Sequence, residues 1–170
     1  TNEIVYISKN LNQLDVYIGI SNMHHNATEI PVAYQEGLHA MSNKFYANNK
    51  NVFIHTLPTD QSSFKSTKSD EYFRSIVKAV KKGKCEDALK ALDMLLELQA
   101  ILKCPIENIK NLGMKLYYSI TSITNDNELL NISPLLPQDS TYIEIWNSEC
   151  IKDIHTFLAS VIVKICEYDD

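Results

Sequence analysis

Two adjacent histidines, His24 and His25, are the residues that most invite a chemical reading. Imidazoles in a loop, with Glu29 or His39 at hand, are donors that a transition metal accepts. Their spacing argues against that use. Neighbouring residues project in different directions, and no His-x3-His or Glu-x-x-His pair presents ligands from one helical face. The pair is therefore expected in an exposed loop. His39 falls on a helix, His55 at a strand end, and His155 among apolar residues, where a satisfied core or interface histidine is expected. None has a Ser or Cys nucleophile and a supporting acid beside it in the sequence.

Other residue types carry weaker signals. Glu86, Asp87, Asp93 and Glu97 could be read as paired catalytic carboxylates, but their spacing is that of a solvated helical face. The four glycines are isolated and build no phosphate loop. Tyr117, Tyr118 and Trp146 are candidates to line a ligand pocket between helices; core packing of amphipathic aromatics is the competing reading. Lysines gather between Lys65 and Lys90, Lys81, Lys82 and Lys84 among them, as suits a solvated helix end. Cys85, Cys104, Cys150 and Cys166 form no CxxC or zinc pattern and read as reduced thiols. No catalytic, cofactor-binding or metal-binding residue is assigned, and no cofactor is expected.

The elements around these residues follow from periodicity. A chain of 170 residues, 45% hydrophobic and 22% charged, has the composition of a soluble globular protein and can bury a substantial core. A net charge of -5 argues against a free-standing nucleic-acid binder. Ile4, Val5, Ile7, Leu11 and Leu14 recur at helical spacing from almost the first residue, which suggests an edge cut from a longer chain. Residues 15–21 alternate as a strand, and Gly19 within it would let another backbone approach closely. Pro31 suits the first position of a helix carrying Val32, Tyr34, Leu38, Met41 and Phe45. A short strand follows over Val52–Thr56. Two strands rarely stand alone, so sheet partners are expected before Thr1 or in another chain.

Residues 58–69 read as a polar linker. Beyond it lie four amphipathic helices: one stopped by Gly83, one over Ala88–Leu102, one opened by Pro105, and a last beginning near Thr141. A loop with Pro134 and Pro137 separates the last two. The expected fold is α+β and mostly helical: a small partial β-sheet with packed helices over 1–57, then a four-helix bundle-like region over 70–170. The final apolar stripe, with Ile154, Phe157, Leu158, Val161 and Ile165, serves either the core or a dimer interface.

The strand Val16-Tyr-Ile-Gly-Ile-Ser21, the helix with Ala33-Tyr34-Gln35-Glu36-Gly37-Leu38-His39-Ala40, and the strand Asn51-Val52-Phe53-Ile54 together resemble the C-terminal portion of a degenerate GGDEF-like domain. Such domains occur in YesN-type AraC-family transcriptional regulators of bacteria. The second half is similar as well: a glycine-terminated helix leads to helix Cys85–Leu102, and Tyr142-Ile-Glu-Ile-Trp146 opens the stretch that runs into the family's helix-turn-helix domain. The chain departs from active cyclases. It lacks the Gly-Gly-(Asp/Glu)-Glu-Phe hairpin, and it has Ser42–Asn51 where they carry Ala-Lys-x-x-Gly-Arg-Asn.

The resemblance implies a cytoplasmic, non-catalytic relay in a two-component response regulator. It would act as a homodimer between an upstream receiver or sensor domain and a C-terminal DNA-binding domain outside this chain, touching neither nucleic acid nor membrane itself. The last helix would be the coupling element. A small-molecule-sensing helical domain and a helical protein-binding adaptor are the alternatives.

Overall fold

The computed structural model describes residues 3–6, 16–47, 50–56, 65–126 and 141–168. It divides into two units, 1–60 and 61–170. The division falls inside the 58–69 segment expected as a linker. The helix that follows starts at Lys65, so the end of that segment is helical rather than extended. Of the helix expected over Ile4–Leu14, residues 3–6 are helical and 7–15 lie outside the described residues.

The first unit is a strand–helix–strand unit. Strand β1 (Ile18–Ile20) and strand β2 (Val52–Ile54) pair in parallel, with Gly19 opposite Phe53. The helix α1 (Ile30–Ser42) connects them, entered through a 3-10 turn at Ala27–Glu29 and left through another at Asn43–Tyr46. Pro31 sits in the first turn of α1, where its missing N–H costs nothing. The sheet is shorter than the alternation suggests. Asn51 lengthens it with its side chain, donating from Nδ2 to the Val16 carbonyl at 3.0 Å.

Gly19 holds the layers together by what it lacks. A Cβ there would lie 2.0 Å from the Gly37 carbonyl oxygen and 2.8 Å from Met41 Cγ. A Cβ at Gly37 would meet only the Gly19 oxygen, at 3.7 Å, an ordinary contact. The close approach expected at Gly19 is therefore the contact of β1 with α1.

The second unit is helical. Helices α2 (Lys65–Val80) and α3 (Cys85–Ile101) form an antiparallel hairpin. The turn is fixed by Gly83 at φ +65°, with the Lys84 N–H on the Ala79 carbonyl and the Gly83 N–H on that of Val80. Both bonds satisfy carbonyls that the helix end would orphan. Gln99, 7% exposed, donates to Ser69 Oγ at 3.1 Å and ties the other ends of the hairpin. The same turn ends α3, but there the left-handed position is Lys103 at φ +46°. Helix α4 (Ile106–Asp126) follows Pro105.

The single last helix expected from Thr141 is two: α5 (Thr141–Trp146) and α6 (Ile151–Tyr168). Ser148 closes the first by donating from its hydroxyl to the Glu144 carbonyl. Asp153 starts the second by accepting the N–H groups of Glu149 and Cys150 at 3.0 and 2.9 Å. Partial burial opposes charge on Asp153, yet those N–H groups hold its carboxyl below the usual range.

The core of this unit joins Ile76 and Val80 of α2, Leu92 and Leu95 of α3, Leu116 and Ile120 of α4, Ile145 of α5 and the inner face of α6. The fold is thus α+β and mostly helical. Among the described residues no helix is long and apolar enough to cross a membrane.

The glycine geometry sets up an asymmetric pair of variants. Gly19→Ala should loosen the first unit by about 1–3 kcal/mol, because strand and helix must separate. Gly37→Ala should be neutral or stabilising by up to about 1 kcal/mol through helix propensity. Amide exchange across residues 18–54, followed by NMR, should speed up in the first variant only; equal effects would refute the close-approach account.

Candidate functional site

Because β1 and β2 are parallel, the chain leaves both at the same edge of the sheet. In open parallel sheets the carboxyl ends of strands are where functional groups collect. Asn22 and His24 follow β1 there, His55 follows β2, and α1 presents Glu36 and His39 above them.

Glu36 is the hub of a polar network. The Asn22 backbone N–H donates to Glu36 Oε2 at 2.8 Å, and Asn22 Nδ2 donates to Oε1 at 3.2 Å. His24 Nε2 lies 3.0 Å from the same Oε2. Asn22 Nδ2 also lies 3.0 Å from His55 Nδ1. The His55 ring stands edge-on to His39, their centroids 5.3 Å apart. Glu29 approaches from the 3-10 turn, its Oε2 3.5 Å from His24 Nδ1 while accepting the His25 N–H at 3.1 Å.

The electrostatics follow from these bonds. His24 titrates above its ordinary value of 6.5, chiefly through its hydrogen bond to Glu36. Glu36 is held down to about 2, first by His24 and then by the Asn22 N–H. Glu29 is lowered by the N–H groups of His25 and Asn26. Such a carboxylate is a poor general base near neutrality. The arrangement is suited to latching the loop after β1 onto α1, with a charge on His24 that depends on pH.

The structure redistributes the residues singled out in the sequence. His24 and His25 part company: His24 is 21% exposed and paired, whereas His25 is exposed. The expected exposed loop therefore holds for His25 and is corrected for His24. Among the described residues no group of three or more His, Cys, Asp or Glu is placed to hold a metal. His155 is half-buried and meets Asp93, Nε2 to Oδ1 2.6 Å, across α6 and α3. Tyr117 is 4% exposed and packs near Phe157, while Tyr118 is 59% exposed. Adjacent helical residues diverge by about 100°, so the pair splits between core and solvent instead of walling a pocket. Trp146 is partly exposed, with Lys110 donating to its carbonyl and lying over its ring.

The stripe on α6 is also placed. Ile154 and Leu158 are fully buried, Val161 and Ile165 are 2% exposed, and Phe157 is half-buried against Tyr117. These residues are core, so a dimer face built from them is corrected: exposing it would require opening the bundle.

Two features escaped the sequence reading. One is the partnership of His24 with Glu36, whose signal would have been polar residues at the carboxyl ends of two strands. The other is a groove of about 390 Å³ along the α2–α3 hairpin. The run of lysines hinted at it, but it was assigned to a solvated helix end.

Comparison of the chain with protein-family models, with characterised proteins and with solved structures gave no significant match.

The His24–Glu36 pair makes the first unit pH-sensitive in a defined sense. A histidine raised on folding contributes fully below 6.5 and loses that contribution as pH rises through its folded value. A carboxylate lowered on folding contributes above 4.5 and loses it as pH falls toward 2. The latch should be strongest between about pH 4.5 and 6.5. In an NMR titration, the His24 ring should show a midpoint above 6.5 that drops in Glu36→Gln. A midpoint indifferent to that substitution would dissolve the pair.

Proposed function

We propose that this chain is a non-catalytic regulatory and signal-relay region of an AraC-family transcriptional regulator. It would couple an upstream receiver or sensor domain to a DNA-binding domain outside this chain. The reading rests on the resemblance of the strand–helix–strand unit and of the helices after it to the YesN-type regulators, and it places the protein in the cytoplasm.

The structural observation that carries it is the seating of α6. Ile154, Leu158 and Ile162 are fully buried, and α6 packs against α3, α4 and α5. At α4 the approach is close enough that a Cβ on Gly113 would meet Ile154 Cγ2 at 3.2 Å. A seam packed this tightly does not deform continuously. A displacement of α3 or α4 passes to α6 as a whole, and α6 would hand it to the DNA-binding domain. Such coupling needs two packed arrangements that the signal stabilises unequally.

Reading the gene onward from the codon for Asp170 tests this directly. A pair of helix-turn-helix motifs in frame is the expected outcome, and a stop codon or an unrelated catalytic domain would overturn the relay.

The reading also expects a homodimer, and with the α6 stripe buried its surface lies elsewhere. Ile30, Tyr34, Leu38 and Met41 fall within about 80° of one another around α1 at 100° per residue. They remain 65%, 64%, 44% and 37% exposed. Light scattering across a concentration series should give twice the chain mass, reduced to one by Leu38→Lys. A monomer at every concentration would remove dimerisation from this region.

A further inference from the structure

The groove along the α2–α3 hairpin has no part in the relay. We infer that it is a binding site for a small amphipathic anion, a phosphate monoester attached to an apolar ring or short chain. This inference stands independently of the relay reading.

Charge is the first argument. Lys78, Lys82, Lys84 and Lys90 line the groove against one carboxylate, Asp87, in a chain whose net charge is -5. Lys84 lies 3.9 Å from Asp87 and Lys90 lies 3.8 Å from Glu86. Both pairs are exposed, so water screens them. Lys78 lies in the last turn of α2 and Lys82 in the turn that follows it, and neither makes an ion pair among the described residues. Like charges gathered on one groove repel; an anion between them removes the repulsion. The α3 N-terminus adds partial positive charge, since Lys84 provides no side-chain cap, although Glu86 and Asp87 in its first turn already answer part of that. The lysines therefore carry the argument.

Shape is the second. Ala79 and Ala91, each 7% exposed, form the floor. A larger side chain at either would fill the space between the helices. Because the helices are antiparallel, residues near the turn line one end of the groove, and Tyr72, Ser75 and Met94 line the other, with Lys90 one helical turn from Met94. Lys82, Lys84 and Asp87 cluster at the turn. Tyr72 and Met94 lie at the far end, about 10–12 Å along the helices from Asp87 and the end of α2 at 1.5 Å per residue. Met94 is 52% exposed and offers a soft, adaptable surface. A volume of about 390 Å³ is in the range of small-molecule sites.

These two arguments select the ligand class. A phosphate monoester carries nearly two negative charges at neutral pH. It can engage both Lys78 and Lys82, whereas a monocarboxylate leaves one unanswered. The length of the groove leaves room for an apolar group on Tyr72 and Met94.

Isothermal titration of the 170-residue chain with 1-naphthyl phosphate tests the site, with inorganic phosphate and uncharged 1-naphthol as its two halves. Saturable one-to-one binding of naphthyl phosphate is expected, roughly tenfold tighter than either half. Lys78→Gln with Lys82→Gln should weaken it roughly tenfold or more, as expected for lost charge-assisted hydrogen bonds. Met94→Ser should weaken naphthyl phosphate but not inorganic phosphate. Lys152→Gln with Lys164→Gln, the same loss of two charges on another helix, should do nothing, and circular dichroism should match across the variants. Absence of saturable binding would overturn the site. So would inorganic phosphate binding as tightly as naphthyl phosphate (an ion on surface lysines only), 1-naphthol matching it, or Lys152→Gln with Lys164→Gln matching the Lys78/Lys82 double variant. Lysine-dependent binding to phosphatidic acid vesicles without binding of naphthyl phosphate would assign the lysines to a lipid surface and overturn it equally.

Discussion

The first unit depends on the distance between two backbones. Helix α1 lies so close over β1 that a methyl group at Gly19 would sit 2.0 Å from the Gly37 carbonyl oxygen. Glu36 is the residue before Gly37, so the same approach brings its carboxylate level with the loop that leaves β1. A helix lifted by the thickness of a side chain would carry Glu36 away from the Asn22 N–H and the His24 ring, which now lie at 2.8 and 3.0 Å. The shifted pKa values of His24 and Glu36 are therefore downstream of a packing constraint rather than an independent feature. A two-stranded sheet with three-residue strands has little stability of its own. Its buried apolar residues are Ala40, Phe45 and Phe53 among those described. The polar network and the Asn51 side chain do work here that a wider core does elsewhere.

The helical unit is built on the opposite principle. Its helices meet along branched aliphatic residues, and the buried polar side chains among its described residues, Gln99 and Ser148, are each satisfied by a hydrogen bond. Gln99 closes the open end of the α2–α3 hairpin while Gly83 closes the other. With both ends fixed, the alanines between them can leave a groove without the helices collapsing into it. Side-chain size along a hairpin sets where a helical surface is hollow, as backbone spacing sets where the first unit is polar.

Much of the architecture was legible because its signals are local. Alternation at Val16, Ile18 and Ile20 marked β1, Pro31 marked the start of α1, and Gly83 marked the end of α2. The end of α3 was less legible, since a lysine rather than a glycine takes the left-handed position at residue 103. The break between α5 and α6 was missed because no Pro or Gly marks it. Asp153 makes the break by capping backward onto Glu149 and Cys150, a role its apolar neighbours conceal. Periodicity marked the α6 stripe but could not distinguish core from interface, because both demand the same spacing. His24 and Glu36 are twelve positions apart, and only the fold of the loop onto the helix joins them.

The lysine run shows where a local rule stops explaining. Cations suit the C-terminal end of α2, which accounts for Lys78, Lys81 and Lys82 as helix chemistry. Four residues later the rule reverses, because the turn delivers Lys84 to the N-terminal end of α3, where a cation is unfavourable. Glu86 and Asp87 offset this locally by pairing with Lys90 and Lys84. That compensation leaves Lys78 and Lys82 facing the same hollow as Lys84 and Lys90 in a chain that is otherwise acidic. Helix dipoles favour cations at one terminus and have no preference for gathering them on one groove of two helices. Where local preference and global arrangement diverge in this way, function is the usual reason.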